Sequence, residues 1–113
     1  MEKIKVSWTK DEFNAYILIY AAQTNFIETD EEKDFIESRI DKTIIEIIHK
    51  EIKKDNDYQK IQKIMAYVEQ HQYGKDDLDK ILSEIKDMYL CDGDFDSTEQ
   101  AIYYSLKKIF NKN

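Results

Sequence analysis

Four carboxylates fall within eight residues near the C-terminal end of the chain: Asp92, Asp94, Asp96 and Glu99. Hard cations such as calcium or magnesium take several oxygen ligands at roughly 2.0–2.6 Å. Carboxylates at alternate positions of a loop can converge on one such ion. Asp92, Asp94 and Asp96 also stand at the first, third and fifth places of an EF-hand loop. The pattern then fails, with Ser97 in the place of the invariant glycine and Tyr103 in the place of the bidentate glutamate. A regular EF-hand is excluded. Two readings stay open for the cluster. In one, Asp92, Asp94, Asp96 and Glu99 hold calcium or magnesium weakly. In the other, they stop one helix and cap the next, where acidic side chains answer orphan N–H groups and the helix dipole.

Other chemistry is thin. The two histidines, His49 and His71, are far apart and no HExxH pattern surrounds them. Cys91, the single cysteine, sits beside carboxylates, which disfavour a thiolate, and reads as a small packing residue. Sixteen of seventeen basic residues are lysine, so arginine forks for phosphate are nearly missing. With two glycines there is no Walker loop and no GxGxxG. No nucleophile, base and oxyanion donor assemble in the pattern, and a non-enzyme is expected. Two tyrosines, Tyr73 and Tyr104, fall off the apolar stripes and are the expected contacts for a protein partner.

The elements that would position these residues are helical. Proline is absent, and apolar residues recur at helical spacing almost throughout. The seventeen isoleucines are spaced near 3.6 rather than alternating, which overrides their strand propensity. Thr9 with Glu12 and Thr29 with Glu32 are capping boxes that start two helices, and Ser97 with Gln100 reads as a third. Asp41 or Thr43, Asn56 or Asp57, and Gly74 with Asp76 open the others. The first helix is apolar nearly all round and should be the central one. The third carries Ile44, Ile45, Ile48 and Ile52, with Ile47 widening the stripe. The expected architecture is all-α: one domain over residues 1–113, a bundle of about six helices, with residues 1–8 as an extended arm in which Ile4, Val6 and Trp8 alternate.

The chain also resembles itself. Residues 17–35 and 85–103 align at an offset of 68, matching Ile17 with Ile85, Thr29 with Ser97, Glu31 with Glu99 and Glu32 with Gln100. Each unit is a buried helix, a short loop, a hydroxyl cap and a second helix. Either a duplication or two similarly capped helices gives this pattern.

On those residues the chain resembles the TerB-like tellurite-resistance family. The resemblance runs from about Glu12 to Phe110. It rests on Asp92-Gly93-Asp94-Phe95-Asp96-Ser97-Thr98-Glu99, which has the form D-G-x-I/F-x-x-x-E. The first-half copy is degenerate, with Thr24-Asn25 where the family has Asp-Gly. The resemblance implies a compact helical domain with internal pseudo-symmetry and a non-enzymatic role in a stress or metal-oxyanion response, with divalent metal at the second loop. An alternative comes from charge. With 24 acidic against 17 basic residues the chain carries −7, which disfavours nucleic acid and suits electrostatic steering onto a basic target. An acidic immunity-type inhibitor of a basic toxin or nuclease would use it so. The longest apolar stretch, Ala15–Ala22, is eight residues, far short of the roughly 20 that span a bilayer. No membrane insertion is expected, and the start of the chain shows no apolar leader, so a cytoplasmic setting is expected.

Overall fold

A computed structural model describes residues 6–23, 29–91 and 97–110. Among them run six helices and no strand: α1 (Lys10–Gln23), α2 (Asp30–Arg39), α3 (Lys42–Lys54), α4 (Asp57–Gln70), α5 (Lys75–Leu90) and α6 (Ser97–Phe110). The all-α bundle is the one the apolar periodicity implies.

The starts are set locally. Thr9 Oγ1 accepts the Glu12 amide at 3.2 Å, while the Glu12 carboxylate accepts the Thr9 amide at 2.8 Å. Thr29 and Glu32 exchange the same pair at 3.1 and 3.0 Å. Asp41 receives the Thr43 amide, and Asn56 with Gln59 closes a further box. Gly74 has no side chain to offer, and α5 instead uses the Asp77 carboxylate to accept the Gly74 amide at 3.1 Å. Each satisfies donors that a helix leaves open in its first turn.

α1 is the hub. Phe13, Ala15, Tyr16, Ile17, Leu18, Ile19, Ala21 and Ala22 are all buried, and α1 packs on each of the other five helices. A helix buried on every side needs apolar residues all round, as this one has. α5 buries Leu78, Ile81, Leu82, Ile85, Met88 and Tyr89, the full stripe its sequence shows. The radius of gyration, 13.4 Å, is that of a folded chain of this size, for which roughly 13 Å is usual.

Three expectations need correction. Ile47 is 52% exposed. α3 packs chiefly on α1, so its buried stripe is the narrow Ile45–Ile48–Ile52 seam, and Ile47 lies about 100° round the helix from Ile48. Cys91 is exposed: it is the residue where α5 ends, its amide reaching back to the Met88 carbonyl, and no element covers it. Ser97 is the first helical residue of α6, so the cap position falls to residue 96, outside the described residues. Glu99 then takes the third position and is buried, while Gln100 is exposed.

Candidate functional site

The helix bounds re-register the internal repeat. α1 and α5 end at Gln23 and Leu90, and α2 and α6 begin at Asp30 and Ser97, so both steps are 67 residues. Glu32, not Glu31, is therefore the counterpart of Glu99. Both are the third residue of their helix and both are buried, at 1% and 3% exposure. The two junctions leave the same end of the bundle, because the Tyr89 hydroxyl near the end of α5 donates to the Ala21 carbonyl near the end of α1 at 2.8 Å. α2 and α6 both return onto α1.

Of the expected metal ligands, Asp92, Asp94 and Asp96 lie outside the described residues. Glu99 is described, and it sits inside the fold at the start of α6. Glu32, at the equivalent place, has its carboxylate turned back on the Thr29 amide and hydroxyl at 3.0 and 3.1 Å. Among the described residues no group of three histidine, cysteine or acidic side chains is placed to hold a metal ion.

The two tyrosines part company. Tyr104 is 58% exposed on α6, its ring meeting Tyr103 edge-on at 5.3 Å. Tyr73 is half-buried. The chain leaves α4 through Gln72 in the left-handed region (φ 51°). The Tyr73 amide bonds the Val68 carbonyl and the Gln72 amide the Glu69 carbonyl, the pair that defines a Schellman turn. That turn folds Tyr73 back, edge-on to Phe13 and Tyr67 at 5.8 and 5.5 Å. Burial, then the hydrogen bond with Tyr67, holds its phenol well above the ordinary tyrosine value.

A polar cluster that the sequence does not announce joins four elements. Trp8 on the arm donates its indole N–H to Glu51 on α3, 3.0 Å from Oε2. Lys63 on α4 reaches Glu51 at 3.3 Å and Asp55 at 2.9 Å. Asp55 also accepts the Tyr16 hydroxyl from α1 at 2.7 Å. Burial pushes the Tyr16 phenol far above its usual range, and the hydrogen bond to Asp55 adds to it. For Lys63 burial pulls the other way, but the hydrogen bonds to Asp55 and Glu51 outweigh it and the net shift is upward. The only sequence signal was Glu51 and Asp55, four residues apart on one helix face. The cluster is a clamp: every charge in it has a partner of opposite sign or a donor.

The arm lies across this clamp. Gln70 brackets Val6, accepting its N–H and donating to its carbonyl, both at 2.9 Å. Trp8 stacks on Tyr16 at 4.5 Å between centroids. Beyond Trp8 opens a groove of about 580 Å³, walled by Tyr67, His71, Tyr73 and Ile81 and rimmed by Lys10, Asp77, Lys80 and Glu84. Its charges balance. No helix among the described residues is long and apolar enough to cross a membrane. Compared with protein families, curated proteins and solved structures, the chain matches none.

Proposed function

We propose that this protein is a non-catalytic helical module that acts by binding a protein partner, in the manner of the TerB-like domains it resembles. The observation that carries the reading is the pair of buried glutamates, Glu32 and Glu99, each third in the helix after a junction and both at one end of the bundle. Burying a carboxylate is costly, so two at matched positions point to a repeated architecture rather than to chance capping. Tyr104, exposed on the helix that follows the acidic junction, is the contact we assign to the partner. Asp92, Asp94, Asp96 and Glu99 would hold calcium or magnesium in the same reading, in a cytoplasmic stress response.

One observation favours the second reading, an acidic inhibitor of a basic toxin or nuclease. Exposed carboxylates are spread along two packed helices: Asp30, Glu31, Asp34 and Glu37 on α2, and Asp76, Asp77, Asp79 and Asp87 on α5. Such a face steers a basic partner at long range. Affinity capture from the native lysate, with calcium and with chelator, tests both. A partner retained only with calcium supports the metal-bearing module. A basic partner retained in both, and released by moderate salt, supports the inhibitor. No specific protein retained in either sinks both.

A further inference from the structure

The arm docks on its own domain as a peptide ligand would. Val6 offers its main chain to a side-chain carboxamide that bonds both N–H and C=O, and Trp8 inserts its ring among aromatics and donates to a carboxylate. In an extended segment residues two apart project to one side, so Val6 and Trp8 enter together. The groove beyond Trp8 repeats these provisions and is open. Tyr67 and Tyr73 form its aromatic wall, with His71 exposed and stacked on Tyr67 at 4.1 Å. Asn14 on α1 lines it, half-buried, and among the described residues its carboxamide has no hydrogen-bond partner, where Gln70 has two. The balanced rim charges select neither an acidic nor a basic ligand.

We propose that this groove is a docking site for an extended segment of a partner protein carrying an aromatic side chain. Asn14 brackets the segment's main chain as Gln70 brackets Val6, and the aromatic side chain packs against Tyr67 and Tyr73. The proposal rests on the partner-binding reading and names the kind of segment recognised. An amide bracket is available to any sequence, so specificity comes from the aromatic side chain, as in strand-type peptide recognition.

The test uses the full chain, isotopically labelled, titrated with the blocked tetrapeptide Val-Ser-Trp-Thr and watched by NMR. Saturable shifts of the Asn14 side-chain amide and of Tyr73 are expected. They should weaken about 10-fold in Asn14→Leu, a loss on the scale of one hydrogen bond. They should vanish with Val-Ser-Ala-Thr, a control that needs no variant protein to fold. No saturable shift, shifts confined to Val6, Trp8 and Gln70, or equal response to both peptides would overturn the site. A partner captured equally well by wild type and by Asn14→Leu would also overturn it, while leaving the partner-binding function standing.

Discussion

Replacing Tyr16 by phenylalanine gives a prediction with two opposed consequences. The ring is fully buried and its hydroxyl donates to the Asp55 carboxylate at 2.7 Å. A hydrogen bond to a charged acceptor contributes roughly 1.5–3 kcal/mol, so the variant should lose about 2 kcal/mol at neutral pH. At roughly 2.1 cal/mol/K of unfolding entropy per residue, that lowers Tm by about 8 °C in a chain of this length. Above pH 10 the comparison changes. The Tyr16 phenol is held far above its usual value by burial and by Asp55. The folded protein therefore keeps this proton while the unfolded chain releases it near pH 10. A raised folded pKa gives stability that is complete below the unfolded value and is lost as pH rises. Tyr16 alone then makes wild-type stability fall by about 1.4 kcal/mol per pH unit. The variant lacks this slope. Lys63, Tyr20 and Tyr73 are shifted the same way and tilt both proteins equally. The initial gap should close after about one and a half pH units. Urea unfolding followed by far-UV circular dichroism from pH 7 to pH 11.5 measures both effects. A loss under ~0.5 kcal/mol at pH 7, or parallel declines above pH 10, would refute the assignment of Tyr16 to the clamp.

Three further outcomes follow from the fold. Gln72→Gly should raise stability by about 0.5–1 kcal/mol in the same urea assay, because Gln72 sits at φ 51° where a side chain is strained. Ile85→Ala should cost about 3–4 kcal/mol, since Ile85 is fully buried under α1 and a cavity would remain; thermal unfolding reads this directly. Tyr104→Ser should leave stability within about 0.5 kcal/mol, because the ring is mostly in solvent, yet should weaken retention of the captured partner.

What the sequence reveals is what local chemistry decides. Thr9, Thr29, Asp41 and Asn56 each open a helix within a few residues of their own position, and a cap needs no knowledge of the rest of the chain. The stripe of α5 and the all-round apolarity of α1 are likewise set by spacing alone. Failures come where another element decides. Ile47 looks like core until α3 is found to lean on one neighbour. Tyr73 lies off the stripes, and a left-handed Gln72, which no composition rule marks, turns it inward. The repeat is visible, but one residue out of step, because Ser97 has the side chain of a cap and occupies the first helical turn instead. The clamp of Trp8, Glu51, Asp55, Lys63 and Tyr16 draws on positions up to 55 residues apart, and pairings across that span leave no mark in a single sequence. Of the acidic cluster, Glu99 is the part that the fold speaks to, and it speaks for a buried anchor of α6.

The central claim is that this chain works by binding a protein. Hydrogen–deuterium exchange of the free protein and of its complex with the captured partner tests it most directly. The account predicts slowed exchange over one contiguous surface that includes the start of α6 and Tyr104, with the bundle interior unchanged. Exchange that is the same at every amide with saturating partner would contradict it.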